Sequence, residues 1–208
     1  MLRRTMNCSM RDAAGLGCPA VNPVPAVAAE AYPAALARPF VLPNGETLMV
    51  RPIRAEDAAM HSEMFAKLAP EDIRWRFFSS VRELSPSMLV RLTQIDYARE
   101  MAFVAVRRRP DGREEELGVA RLIRESADSW PGPDGEFAVI VMPEMKGRGL
   151  ARHLMQRLID WARGLGMREI AGQVMSDNIP MLGFVRHLGF AVTASAEDQS
   201  VYEARLAL

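Results

Sequence analysis

Residues 136–151 read EFAVIVMPEMKGRGLA. An apolar run of strand character stops at a glycine-punctuated basic turn, and the chain then enters an amphipathic pattern. A helix starting near Arg148 aims its unpaired amides and the positive end of its dipole into that turn, where an anion can bind. Gly147 and Gly149 let backbone approach a ligand without an intervening Cβ, while Lys146 and Arg148 bring charge to the same mouth. Phosphate is the natural occupant. The turn matches neither G-x-x-x-x-G-K-[ST] nor G-x-G-x-x-G with an acidic residue about twenty positions later, so a third kind of phosphate carrier is implied.

Upstream, Phe40–Leu42 and Thr47–Ile53 flank Pro43-Asn44-Gly45-Glu46, a hairpin turn because Asn-Gly accepts positive φ cheaply. Ordered chain is expected from about Arg38. Ala55-Glu56-Asp57 opens a helical pattern carrying His61, Met64, Phe65 and Leu68, and further helices are predicted from Glu71 and from Ser85-Pro86-Ser87. Met101–Val106 and Leu117–Ile123 then form an antiparallel pair across Arg109-Pro110-Asp111-Gly112. Downstream of the opening stretch, the helix runs to Leu165 with Leu150, Leu154, Leu158, Ile159 and Leu165 apolar and Gly166 as its stop. A strand over Ile170–Met175, a short helix over Asn178–Leu188 and terminal strands at Phe190–Thr193 and Val201–Leu206 complete the order. Antiparallel meanders around a parallel crossover give an α/β or α+β class with one mixed sheet.

Lys146-Gly147-Arg148-Gly149-Leu150-Ala151, preceded by a strand, resembles the [Q/R]-x-x-G-x-[G/A] acetyl-CoA signature of the Gcn5-related N-acetyltransferase (GNAT) superfamily. Asn178–Phe190, NIPMLGFVRHLGF, resembles the second motif of that superfamily. The resemblance covers about residues 40–208. RPIRAED at 51–57, RFFSS at 76–80 and LTQIDYAREMAFVAV at 92–106 further resemble the acetyltransferase domain of bacterial Pat-type protein-lysine acetyltransferases. This implies a single domain over residues 38–208, with a mostly antiparallel central sheet and helices on both faces. It also implies acetyl-CoA as cosubstrate, held by the backbone of Val139 and Val141, by Ile140, Lys146, Gly147, Arg148, Gly149, Leu150 and Ala151, and by Asn178. Asn178 is read equally as the cap of the short helix. Two departures stand out. Lys146 keeps the charge of the usual Arg without its planar fork. Val185 stands where many relatives have a tyrosine that protonates the leaving thiolate, so water takes that role or catalysis is slow.

Acetyl transfer to an amine requires a thioester beside a neutral nitrogen. A free lysine is neutral only about once in a few thousand molecules at pH 7, a penalty of roughly 4–5 kcal/mol. General-base catalysis, typically about 10²–10⁴ in rate, offsets much of it. Glu136, at the entry of the motif strand and followed by apolar Phe137-Ala138-Val139, is the candidate base; its alternative reading is a solvated carboxylate at a strand end. Asp96, Glu100 and Glu125 are reserves. Trp75-Arg76-Phe77-Phe78 falls where relatives border the acceptor groove, with Phe77 and Phe78 read as core; Trp130-Pro131-Gly132-Pro133 reads as a lid or wall. His187 reads as surface.

The chain has 208 residues, 49% apolar and 25% charged, with formal net charge zero. That suits one domain with a sizeable core and disfavours nucleic acid or anionic membrane as the main partner. Cys8 and Cys18 are the only cysteines, so a disulfide scaffold is not expected and a reducing cytoplasm is the default. No apolar run reaches the eighteen or so residues of a membrane helix. Residues 1–37, rich in Ala and Pro, read as a disordered leader. No His/Cys/Asp/Glu cluster has metal spacing. Three functions follow: acetylation of a protein lysine, acetylation of a small amine, or a weakly catalytic module that binds CoA and reports to a partner.

Overall fold

Turn chemistry sets the first pairing in the computed structural model, which describes residues 31–124 and 133–208. Gly45 at φ 84° closes β1 (Arg38–Val41) on β2 (Thr47–Pro52) in antiparallel register. β3 (Glu100–Arg108) and β4 (Glu114–Arg124) run beyond the apolar segments that announce them. The extension is held by opposite charges across the ladder, Arg107 facing Glu115 and Arg108 facing Glu114. β5 (Gly135–Val141) pairs antiparallel with β4, and β6 (Glu169–Met175) lies parallel to β5. β7 (Ala191–Ala194) and β8 (Val201–Ala207) complete an eight-stranded sheet of order β1-β2-β3-β4-β5-β6-β8-β7.

Among the described residues five helices flank it: α1 (Ala58–Ala66), α2 (Pro70–Phe77), α3 (Pro86–Thr93), α4 (Leu150–Gly164) and α5 (Ile179–His187). Ser85 caps α3 by accepting from the Met88 amide at 3.2 Å, and Pro86 takes the first turn, where no donor is needed. α1 packs on β4 and α2 on β5, while α4 packs on β3, β4 and β5. The α4 stripe of Leu150, Leu154, Leu158 and Ile159 is buried as its spacing predicts.

Two expectations shift. Helix α4 begins at Leu150 rather than near Arg148, because Gly149 holds φ 81°, outside helical space. Leu165 lies beyond the helix and is 42% exposed, so it does not belong to the stripe. Residues 1–30 of the expected leader, with Cys8 and Cys18, lie outside the described residues, as do Glu125 and the Trp130–Gly132 segment. The end of that leader is tied to the domain. The Tyr32 hydroxyl donates to the Pro52 carbonyl at 3.1 Å, and Ala34–Leu36 forms a 3-10 turn. No helix among the described residues is long and apolar enough to cross a membrane.

Candidate active site

β5 and β6 are paired only at their start, Gly135 with Ile170 and Glu136 with Ala171. Beyond that point β5 follows β4 alone, up to Val141 opposite Gly118. The Phe137 ring packs on Phe190 at 4.9 Å and lies against Gly172 of β6, where a Cβ would stand 2.7 Å from the ring. A cleft of about 850 Å³ runs along the gap, lined by β5, the turn after it, α2 and α5.

The alternation of an antiparallel ladder decides which backbone groups reach this cleft. The Met142 amide donates to the Leu117 carbonyl at 2.9 Å, and the register runs unbroken from there. Even-numbered residues of β5 therefore turn their polar groups to β4, and those of Phe137, Val139 and Val141 face the gap. Val139 and Val141 thus have backbone donors and acceptors free of the β4 ladder. Ile140 does not: it lines the cleft, but its backbone belongs to the β4 ladder.

The turn after β5 narrows in the same way. The amides of Lys146 and Arg148 are engaged within it, bonding the carbonyls of Pro143 and Met145 at 3.2 and 3.3 Å. The first intrahelical bond runs from the His153 amide to the Gly149 carbonyl at 3.0 Å, so the amides of Leu150, Ala151 and Arg152 precede the ladder of α4. Gly147 and Gly149 hold φ 74° and 81°, and a Cβ at either would meet nothing within 4 Å. The concave side of the turn is therefore open to a ligand. Leu150 contributes backbone only, since its side chain is fully buried.

Lys146 is not a free cation at this mouth. Its Nζ donates to both oxygens of buried Asp72 at 2.7 and 2.8 Å. The pair is neutral overall, so attraction for a diphosphate falls to the helix end and to exposed Arg148 and Arg152. Asp72 escaped the sequence reading because it lies 74 residues from Lys146, and no spacing rule links the two.

Glu136 lines the cleft at the closed end of the gap, half-buried, within electrostatic range of the Arg76 guanidinium. Of the reserve carboxylates, Glu100 and Asp96 do not share this position. Glu100 is buried in ion pairs with Arg121 and Arg91, and Asp96 accepts from the Ala98 amide at 3.1 Å to shape its own turn. Asn178 caps α5 by accepting from the Met181 amide at 3.1 Å while also lining the cleft. Val185 is fully buried, and Phe184 beside it faces the cleft. His187 lines the cleft too, with its Nδ1 2.7 Å from the Gly183 carbonyl.

The opposite wall is α2. Arg74 pairs with Asp177, and Trp75 Nε1 donates to the same carboxylate at 3.0 Å, which ties α2 to the loop before α5. Phe77 packs edge-on to Phe65 at 5.7 Å, as core. Phe78 departs from that reading: it holds φ 53°, is 38% exposed and lines the cleft. Its left-handed backbone ends α2 and turns the ring outward. Among the described residues no group of three or more His, Cys, Asp or Glu could hold a metal ion.

This arrangement can be compared with known proteins. The acetyltransferase (GNAT) family model matches residues 68–190, which include α2, the splayed strands, the turn and α5. The chain belongs to the GNAT acetyltransferase family. It is 33% identical over 167 residues to an acetyltransferase of Pseudomonas aeruginosa, covering 80% of this chain and 87% of that protein. The crystal structure of the GNAT domain of S. lividans PAT superposes with a TM-score of 0.75 at 26% identity, covering 86% of this chain and all of that one. The L-amino acid N-acyltransferase MnaT of Escherichia coli is 39% identical over 85 residues, 38% of this chain and 49% of MnaT. As a GNAT member the protein is an acetyl-CoA-dependent N-acetyltransferase with an eight-stranded mixed sheet.

Proposed function

We propose that the cleft seats acetyl-CoA with its diphosphate on the amides of Gly147 and Gly149–Arg152 and its pantetheine amides along Val139 and Val141. Glu136 acts as the general base for a primary amine. The observation that carries this reading is that one cleft joins a carboxylate, an unpaired strand edge and a helix N-terminus in the order the cosubstrate requires. The amine nitrogen attacks the thioester carbon, the C–N bond forms and the C–S bond breaks. The amine proton passes to the Glu136 carboxylate, and the sulfur leaves as a thiolate that takes a proton from water. Buried Val185 cannot donate that proton, and a thiol of ordinary pKa near 8.5 leaves without it.

Likeness to the PAT domain across its whole length supports a protein lysine as acceptor. A small amine is the second reading, supported by the shared segment with MnaT. Incubation with acetyl-CoA, a protein panel and small amines, followed by mass-spectrometric location of the acetyl group, tests the proposal. Transfer to an amine nitrogen is expected. Tight CoA binding without transfer to any acceptor would favour a sensor module instead.

A further inference from the structure

Arg76 is the cleft residue whose chemistry acetyl-CoA leaves unused. It lies on α2, lines the main cleft, and also borders a small cavity of about 20 Å³ with Arg121, Ala138 and Ile140. Its Nη1 is sealed from water and has no hydrogen-bond partner among the described residues. Its neighbours do not supply one. Arg121 is a second cation, already satisfied by Glu100 and the Leu92 carbonyl, and Phe77 offers only a ring face at 4.9 Å. Glu136 attracts the guanidinium from a distance. Burial pulls the Arg76 pKa down to about 10, with Glu136 opposing, so the group remains a cation at neutral pH. A buried cation without a bonded counter-ion is unfavourable unless something brings the anion.

We infer that Arg76 binds a carboxylate of the acceptor, which makes a free α-amino acid the acceptor class of this transferase. An α-amino acid carries its ammonium and carboxylate on one carbon, so a site that reads it needs an anion and a cation side by side. Glu136 and Arg76 line the same cleft, within electrostatic range of each other, and supply that pair. The nitrogen held at Glu136 is the one that attacks the thioester, giving an N-acetyl amino acid and CoA. Trp75 and Phe78, flanking Arg76 on the same wall, give an apolar surface to the side chain. A lysine side chain within a protein has no carboxylate near its Nζ and would leave Arg76 unmatched.

This inference takes the small-amine reading of the acceptor over the protein-lysine one and rests on the acetyl-transfer reading of the cleft; its test separates the inference from that transfer reading. CoA release from acetyl-CoA is measured with apolar L-amino acids, with the corresponding amino acid amides and with a lysine peptide. The expected result is a preference in kcat/KM for acid over amide of about 10- to 100-fold, the worth of hydrogen bonds to a charged group. R76Q should bring the acid down to the level of the amide through its acceptor KM, with partial rescue in R76K. Equal use of acid and amide by the wild type, or acetylation of the peptide and of no amino acid, overturns the inference while the transferase reading stands. A preference for a dicarboxylic acyl-CoA over acetyl-CoA, lost in R76Q, also overturns it by moving the carboxylate to the donor. No release with any acceptor sinks both.

Discussion

The two walls of the cleft are built on different length scales. One is a single run of chain, residues 136–151, in which strand, turn and helix end follow one another and each local choice serves the next. The other is α2, held in place by partners far away in sequence: Asp72 to Lys146 across 74 residues, and Trp75 to Asp177 across 102. The local wall is fixed by backbone geometry, whereas the distant wall is fixed by side-chain charge. The difference separates tasks. In the proposed reading, the local wall meets what every acetyl-CoA presents, and the distant wall meets the acceptor.

If that division holds, the largest effect comes from the base at the head of the local wall. Glu136→Gln should lower kcat by about 10²–10⁴, the usual range for a general base, with acetyl-CoA affinity preserved. Near-normal turnover across pH removes Glu136 from the role. Next is the turn. Gly149→Val places a β-branched residue at φ 81° and a side chain on the concave face, where the protein itself offers no obstruction. Acetyl-CoA should bind about 10- to 100-fold more weakly, as expected for lost hydrogen bonds to a charged group. An unchanged affinity by titration would place the diphosphate elsewhere.

Gly172→Ala sharpens the contrast, because its glycine serves packing rather than ligand. The new Cβ would stand 2.7 Å from the Phe137 ring, and overpacking of this kind costs about 1–3 kcal/mol of stability, read by chemical denaturation. A stability equal to wild type would mean that the ring moves freely and does not hold the gap. The smallest effect is at the distant wall. Arg74 and Trp75 hold the Asp177 carboxyl below the usual carboxylate range. Its folded pKa is depressed, so its contribution is fully present above the unfolded value near 3.9 and is lost as pH falls through the lower folded value. Asp177→Asn should lower the melting temperature slightly at neutral pH and flatten the acid limb, with the two proteins converging once the pH falls below the folded value. An acid limb identical to wild type would show that the clasp contributes nothing.

The same division explains what the sequence alone reveals. Asn44-Gly45, Ser85-Pro86 and the Gly147–Gly149 turn announce themselves because glycine freedom, capping and proline geometry are local properties. Val139 and Val141 turn their backbone groups to the gap between β5 and β6. Ile140 was grouped with them because a motif names positions without saying which edge each backbone faces. Asp72 is invisible in sequence because a lone carboxylate in a first helical turn reads as a dipole partner. Arg76 falls, by the superfamily resemblance, where relatives border the acceptor groove, but its unpaired nitrogen emerges only once the fold lays that helix over β5. The ends of β3 and β4 were underestimated for a related reason, since Glu114 and Glu115 look like loop until Arg108 and Arg107 stand opposite them.

The central claim is that the helix-end amides after β5 hold a diphosphate. Titration calorimetry with acetyl-CoA and with acetylpantetheine, which keeps the thioester and both pantetheine amides but lacks the nucleotide diphosphate, tests it directly. The account predicts that acetyl-CoA binds at least about 100-fold more tightly, the worth of a few charge-assisted hydrogen bonds. Equal affinity for the two ligands, or no heat with either, would contradict it.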